Sequence, residues 1–349
     1  MRTHWTDHAA NTIGVTAMTD HSTMSAALAE APNALVRVVT VPRPTPKAGE
    51  VLVRIQASGI NPLDTKIHAG VAPHAKQPLP AILGLDLAGT VEAVGEGITR
   101  FRPGDEVYGM TGGVGGHQGS LADFAAVDAD LLAIKPANLS MREAAGLPLI
   151  IITAWEGLVD RAAVRAGQTV LVHGGAGGVG HVVIQIAKAF GATVFATGSA
   201  GSQALIERLG AQFIDYRAEE VGDYVQRLTD GHGFDLVYDT VGGATLDASF
   251  AAVRRFGHVV SCLGRGQYDL GPLSFKAASY SGVFTLLPLL TGEGRRHHGE
   301  ILEGTTRLIE GGKFAPHMDE RRFTLATVDD AYRILRDREA RGRLVVELA

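Results

Sequence analysis

The sequence predicts an α/β protein in which a doubly wound parallel sheet is joined to a second, β-rich domain. Residues 151–290 alternate short apolar strands with helical segments, which is typical of a parallel sheet covered by helices. Residues 34–150 instead show short strands separated by proline- and glycine-rich turns. The length of 349 residues is sufficient for two domains of ordinary size.

The most informative segment spans residues 169–198 and has the sequence TVLVHGGAGGVGHVVIQIAKAFGATVFATG. It predicts a strand, a glycine turn, an apolar-periodic helix and a second strand. The turn contains Gly175-x-Gly177-x-x-Gly180, the spacing of a dinucleotide fingerprint, with Gly178 and Val179 inside it. Gly175 would make the tight turn, Gly177 would let the backbone approach a pyrophosphate, and Gly180 would let the helix pack on the strand. The segment therefore predicts a nucleotide site at a helix N-terminus.

Composition excludes several other classes. The formal net charge of −5 comes from interspersed acids and bases and shows no basic footprint for nucleic acid. The only cysteine, Cys262, lies in an apolar run, so we expect it to pack rather than to react. No apolar run is long enough for a membrane span, and residues 1–24 lack the pattern of a secretory signal. We expect a disordered leader over residues 1–24 and a cytoplasmic location.

We predict that residues 25–150 and 291–349 form the β-rich domain and residues 151–290 the parallel-sheet domain. A helix at 297–310, a strand at 321–325, a helix at 327–338 and a strand at 343–348 would return the chain to the first domain. A strand at 282–286 would lie at the sheet edge. The apolar segment 280–290 is long for an exposed edge, so we expect it to pair across a two-fold axis in a homodimer, or else to be buried within one chain.

Four ordered motifs resemble the quinone oxidoreductase branch of the medium-chain dehydrogenase/reductase superfamily, which includes ζ-crystallin. The motifs are SGINPLD at 58–64, GLDLAG at 84–89, RPGDEV at 102–107 and TAW at 153–155. The resemblance implies a GroES-like catalytic domain followed by a Rossmann domain. In zinc-dependent members the ligand cysteine would fall at Asn61 and the ligand histidine at Leu85. Because neither residue suits zinc, we expect no metal, and Asp86 is interpreted either as part of that motif or simply as a hydrogen-bonded core acid.

The end of the second strand predicts which nucleotide binds. Gly198-Ser199 carries no acid that would accept the ribose hydroxyls of NAD and repel a 2′-phosphate. By resemblance, Ser199 and Tyr216 would touch that phosphate, and the usual lysine falls at Ser202. Arg217 would supply the lost charge, or it is a solvated surface residue. We therefore expect NADP(H).

The resemblance also implies that Asn61 and Asp64 lie under the reacting nicotinamide and that Thr153 contacts the nicotinamide or its ribose. We further assign Thr240 and Leu263, which follow two later strands, to the cofactor site.

Lys66 and His68 are two residues apart, which suits a strand or loop that projects both side chains one way. Either would then polarise a carbonyl or donate a proton. The alternatives are that Lys66 is a surface or cofactor-binding lysine and that His68 is an ordinary loop residue. Some bacterial relatives carry a tyrosine at the position of Ala72, and its absence implies a roomier, apolar pocket.

These observations predict a zinc-independent, NADPH-dependent reductase of quinones or α,β-unsaturated carbonyls. The alternatives are an enzyme like the alcohol dehydrogenases, or a nucleotide-binding structural or regulatory protein with little turnover. We expect a small-molecule substrate and no nucleic-acid or membrane partner.

Overall fold

The computed structural model describes residues 22–348. Its central feature is a six-stranded, fully parallel sheet with the strand order β11-β10-β9-β12-β13-β14. Chain connection reverses between β9 and β12, so this is a doubly wound sheet whose ligand crevice lies at the carboxyl ends of those strands. The strands are β9 (Thr169–His173), β10 (Thr193–Gly198), β11 (Gln212–Asp215), β12 (Phe234–Asp239), β13 (Val253–Ser261) and β14 (Ser279–Gly282).

Helices connect these strands. The first one, α4, begins at Gly180 directly after the glycine turn and buries its apolar side against β9 and β10. The remaining connections are shorter. The helices of this part are α4 (Gly180–Ala189), α5 (Gln203–Arg208), α6 (Val221–Thr229), α7 (Ala244–Ala252) and α8 (Gly271–Phe275).

The other large sheet is antiparallel and follows the order β15-β3-β5-β6-β8, with β7 paired to β3. Strand β15 pairs with β3, so the segment that follows the parallel sheet returns to the antiparallel sheet. A smaller sheet of order β2-β1-β4 lies beside it. The strands are β1 (Thr23–Ala29), β2 (Arg37–Pro42), β3 (Glu50–Ile60), β4 (Ala81–Ile82), β5 (Asp86–Val94), β6 (Glu106–Met110), β7 (Phe124–Asp128), β8 (Leu132–Ile134) and β15 (Leu344–Glu347).

Six further helices surround this sheet or link it to the parallel one. Two of them, α1 and α11, contact each other beside the cleft described below. They are α1 (Pro62–His68), α2 (Met141–Ala145), α3 (Pro148–Trp155), α9 (Leu287–Thr291), α10 (Arg295–Glu310) and α11 (Val328–Arg336). No helix within residues 22–348 is long and apolar enough to cross a membrane.

Three predicted boundaries need correction. The expected leader extends too far, because Thr23 and Met24 belong to β1, where they pair with β2; residues 1–21 lie outside the described part. The edge strand ends at Gly282 rather than continuing to Leu286. The segment that follows turns into α9, whose first turn holds Pro288, a residue that cannot donate to a ladder but suits a helix start. The predicted strand at 321–325 is reduced to one bridge between Phe323 and Val346.

Candidate active site

A cleft of about 510 Å³ lies between the antiparallel sheet and the carboxyl edge of the parallel sheet. The wall from the first part of the chain comes from α1, α3 and the turn at His74. The opposite wall combines the glycine turn with the ends of β12, β13 and β14. The C-terminal segment that contains Arg343 closes one side. The sequence motifs singled out above therefore meet in one place.

The glycine turn between β9 and α4 leaves room for a ligand. The turn closes through a hydrogen bond of 2.9 Å from the Gly177 amide to the Gly174 carbonyl oxygen. A Cβ on Gly180 would collide with that same oxygen, and one on Gly175 would lie 2.6 Å from the Cβ of Ala196. Gly177, by contrast, faces the cleft and has one close neighbour at 3.2 Å. Close packing therefore requires glycine at 175 and 180, and Gly177 leaves open space on the cleft side, while the roles of these residues toward a nucleotide stay predictions.

The residues assigned to the nicotinamide end also face the cleft. Thr153, on α3, and Thr240, after β12, both line it, and both hydroxyls donate to backbone carbonyls, those of Leu149 and His173, at 2.7 Å. Leu263, after β13, lines the same wall and is exposed. Gly178 and Val179 lie on the cleft side of the glycine turn.

The residues assigned to the 2′-phosphate stand outside this cleft, at the carboxyl ends of β10 and β11. Gly198 ends β10, and the Ser202 hydroxyl donates to the Ser199 carbonyl oxygen at 2.7 Å. Tyr216 is exposed, and the Arg217 Nε donates to its hydroxyl at 3.3 Å. A serine, a phenol and a guanidinium thus surround the end of the strand.

Asn61 lines the floor of the cleft, and Asp64 lies beneath it. Asn61 is the residue before α1, and its backbone N–H donates to Asp64 Oδ2 at 2.7 Å. Two hydrogen bonds fix the orientation of its side-chain amide. Nδ2 donates to Asp86 Oδ2 at 2.9 Å, and Oδ1 accepts from Arg343 Nη2 at 2.6 Å. Both Asn61 and Asp64 are completely buried. Asp64 does not line the cleft.

Burial dominates the electrostatics of this network. It raises the pKa of Asp64 to about 8 and that of Asp86 to about 7, although hydrogen bonds from Asn61 and the charge of Arg343 oppose both shifts. Asp86 also accepts the Leu149 backbone N–H at 2.9 Å, so the interpretation of Asp86 as a hydrogen-bonded core acid matches the structure. Arg343 is nearly buried, donates through Nε to the Gly146 carbonyl oxygen at 2.7 Å, and lies 4.0 Å from Asp86.

The expectation that Lys66 and His68 project together is wrong. Residues 62–68 form a helix, where positions two apart differ by about 200° around the axis. Lys66 is exposed and lines the cleft. His68 is buried on the other side, with Nε2 2.6 Å from the Ala34 carbonyl oxygen and its ring 5.5 Å from that of Tyr332. A catalytic role for His68 is therefore not supported.

Sequence reasoning missed several residues that line the cleft, among them Arg343 and His74. Arg343 was assigned only to a terminal strand, yet it contacts Asn61 across 282 positions of the chain. No local sequence signal points to this contact, because its partners are brought together only in the folded chain. His74, which was not among the predicted site residues, also lines the cleft.

The side chains do not fit zinc. Both polar atoms of the Asn61 side chain are hydrogen-bonded, to Asp86 and to Arg343, and Leu85 is buried in the core. Across residues 22–348, no three His, Cys, Asp or Glu side chains come together in a way that could hold a metal ion.

Comparison with known proteins supports this description. Residues 47–137 match the alcohol dehydrogenase GroES-like domain family, and residues 209–346 match the family described as zinc-binding dehydrogenase. The chain is 38% identical to tomato (Solanum lycopersicum) 2-methylene-furan-3-one reductase over 311 residues, 87% of this chain and 73% of that protein. It is 36% identical, with the same coverage, to the chloroplastic NADPH-dependent alkenal/one oxidoreductase of Arabidopsis thaliana.

Solved structures agree. An alcohol dehydrogenase superfamily protein from Novosphingobium aromaticivorans is 57% identical, with a TM-score of 0.92 over 93% of this chain and all of that one. The quinone oxidoreductase of Coxiella burnetii is 29% identical, with a TM-score of 0.80 over 94% of this chain and all of that one. The chain is an oxidoreductase of the GroES-like and Rossmann architecture. It belongs to the medium-chain dehydrogenase/reductase superfamily, in the zinc-independent branch that contains quinone and enone oxidoreductases.

Proposed function

We propose that this protein is an NADPH-dependent reductase that transfers a hydride to a quinone or an α,β-unsaturated carbonyl. The observation that carries the proposal is the cleft itself, in which the glycine turn shares one space with an apolar wall. The apolar lining includes Leu263, Val283 and Phe284 on that wall and Leu63 on the facing one. Planar, electron-poor alkenes and quinones fit such a surface, and they accept hydride without a metal. The names of the tomato, Arabidopsis and Coxiella relatives point the same way.

The chain's own residues fit a dinucleotide. Gly177 and Gly178 form a cradle with room for a ligand. A Cβ on Gly177 would have the Gly174 carbonyl oxygen as its nearest neighbour, at 3.2 Å. A Cβ on Gly178 would have Arg343 Nη1 as its nearest neighbour, at 3.4 Å. We propose that the pyrophosphate lies there, between the α4 N-terminus and the Arg343 guanidinium. When bound, the reduced nicotinamide supplies the hydride. Thr153, Thr240 and Leu263 would hold its ring, and Asn61 and Asp64 would support the floor from below.

A preference for NADPH rests on the end of β10. Ser199, Tyr216 and Arg217 are available to a 2′-phosphate there, and no acid follows Gly198 on the strand. The nearest acid on the neighbouring strand, Asp215, accepts the Arg217 backbone N–H at 2.9 Å. We propose that Arg217 replaces the lysine missing at Ser202 as the phosphate-binding cation.

Two further features remain proposals. The sheet ends at β14, whose outer edge makes no strand pairing within residues 22–348, and Tyr280 on it is partly exposed. We propose that two such edges pair in a homodimer, which light scattering would report as twice the chain mass of 36.7 kDa. The division at residues 150 and 290 and the cytoplasmic location stay predictions.

The deciding experiment is oxidation of NADPH and of NADH by EDTA-treated protein with a panel of quinones and enones. We expect turnover that favours NADPH and survives chelation. Arg217→Ala should raise the KM for NADPH at least tenfold and leave that for NADH unchanged, which corresponds to a lost charge contact of about 1.4 kcal/mol or more. Arg255→Ala, an exposed arginine near the start of β13 at the opposite end of the sheet, is the matched control. Alcohol oxidation that requires added zinc would refute the proposal.

A further inference from the structure

His74 stands on a firmly anchored turn. The segment Pro73–Ala75 forms a single 3-10 turn with the proline in its first position. Ala75 is completely buried, and its carbonyl oxygen accepts the Gly115 N–H at 2.9 Å. The backbone on either side of the imidazole is therefore held in place, while the ring itself projects into the mouth of the cleft.

The ring of His74 faces the other side of the cleft. Its centroid lies 6.2 Å from that of Phe284, which follows β14, and both rings line the cleft. Neither ring nitrogen of His74 has a hydrogen-bond partner among the described residues. An aromatic polar side chain is thus presented beside an apolar wall with its hydrogen-bonding capacity unused.

Other polar groups in the cleft are less suited to donate a proton. His181 already uses Nδ1 on the Gly177 carbonyl oxygen, and burial lowers its pKa to about 4. Burial raises the pKa of the Cys262 thiol to about 12. Arg338 and Arg343 carry guanidinium groups, which do not release protons in proteins. His317 also lines the cleft, but its ring packs edge-on against that of His181 at 6.2 Å between centroids, and burial lowers its pKa. Among the ionisable side chains of the cleft, Lys66 and His74 remain, and imidazole is the group that ordinarily exchanges protons near neutral pH.

We propose that His74 is a catalytic residue that donates its ring N–H to the substrate carbonyl oxygen. The inference rests on the proposed function. Hydride adds to the β-carbon of the enone, the C=C π pair moves toward the carbonyl, and the oxygen that gains negative charge accepts a proton from the His74 imidazolium, which becomes a neutral imidazole. The resulting enol tautomerises to the saturated carbonyl, and the exposed imidazole regains its proton from water. For a quinone, the same transfer completes one hydroxyl of the quinol.

Ala72, two residues before His74, is buried and does not line the cleft. His74 is therefore the side chain that this turn presents to the cleft.

Two variants separate hydrogen bonding from packing. His74→Phe keeps an aromatic ring against Phe284 and removes the donor, whereas His74→Gln keeps a donor and removes the ring. We expect kcat for an enone to fall by about 100-fold in His74→Phe, with little change in KM, and to fall less in His74→Gln. His232→Gln, at an exposed position on a distant turn, controls for loss of a surface histidine.

A second measurement does not depend on turnover. 4-Nitrophenolate is a planar, stable oxyanion whose absorbance shifts when its oxygen is hydrogen-bonded. We expect the wild type and His74→Gln to bind it with a shifted spectrum and His74→Phe to lose the shift. If His74→Phe keeps kcat within threefold of the wild type, or if Lys66→Met instead loses the spectral shift, the inference is wrong. Failure of the wild type to reduce any acceptor would refute the proposed function, while the phenolate spectra would still decide whether His74 donates.

Discussion

Replacing Asp64 with asparagine would measure the energetic cost of the buried acid beneath the cleft. Asp64 has no exposed surface, and its Oδ1 has no hydrogen-bond partner within the described residues. Burial raises its pKa from 3.8 to about 8, so the folded protein holds the proton at neutral pH. Asparagine has nearly the shape of the neutral acid, and its oxygen can still accept the Asn61 backbone N–H. The substitution therefore removes the titration and leaves the packing in place.

The magnitude follows from proton linkage. Between about pH 4 and pH 8 the unfolded chain has released the proton of Asp64 while the folded chain retains it. The unfolded state then binds fewer protons, so the free energy of unfolding falls as pH rises, by up to about 1.4 kcal/mol per pH unit. The amide of the Asp64→Asn variant does not titrate and contributes no such slope. The difference in the free energy of unfolding, Asp64→Asn minus wild type, should therefore rise by about 3 kcal/mol between pH 5 and pH 7.

Urea unfolding at pH 5, 6, 7 and 8, followed by circular dichroism, measures this difference. Asp86 titrates in both proteins, and comparing the two curves isolates the contribution of Asp64. Asp330→Asn, on the exposed side of α11, controls for the removal of one negative charge. Parallel curves for the wild type and Asp64→Asn would show that Asp64 is ionised in the folded state and would refute the reasoning.

Three more changes give sharp expectations. Gly180→Val should abolish NADPH binding in a fluorescence titration, because its Cβ would collide with the Gly174 carbonyl oxygen. Arg343→Met should weaken NADPH binding at least tenfold, and unchanged affinity would place the pyrophosphate elsewhere. The same variant should lower the free energy of unfolding by about 3–5 kcal/mol, because it leaves buried acids without their cation. Tyr238→Phe removes the 2.6 Å bond to the Thr153 carbonyl oxygen and should cost about 1–2 kcal/mol in urea unfolding, and a smaller loss would mean that water replaces the bond.

The parallel sheet was predictable because its signals are local. Its first two strands, β9 and β10, are apolar runs with a turn on either side, and the glycine spacing after β9 requires both a tight turn and a helix start. Gly175, Gly177 and Gly180 could therefore be assigned separate roles from the sequence. The edge strand was misplaced because Phe284 and Leu286 have the apolar character that is typical of strand residues. Pro288 was the local signal that this segment turns into a helix.

The relative orientation of Lys66 and His68 was predicted wrongly, although the local sequence contained the evidence for a helix. Asn61 precedes Pro62, and an acid follows at Asp64, which together form a typical helix start with a cap, a proline in the first turn and a carboxylate that reaches back. A helix separates positions two apart, whereas the strand or loop that we expected brings them together. Recognising the cap would have placed Lys66 and His68 on different sides.

Arg343 is a different case, because no local pattern predicts its role. Its partners come from α1, β5 and the turn after α2, and only the folded chain brings them together. Since the pKa values of Asp64 and Asp86 lie at about 8 and 7, the acid pair retains at least one proton near neutral pH. One carboxylate then balances one guanidinium in the buried cluster. The Arg343 Nη1 beside Gly178 is the part of this neutral cluster that faces the cleft, and it presents donors to an anion at little net cost in buried charge.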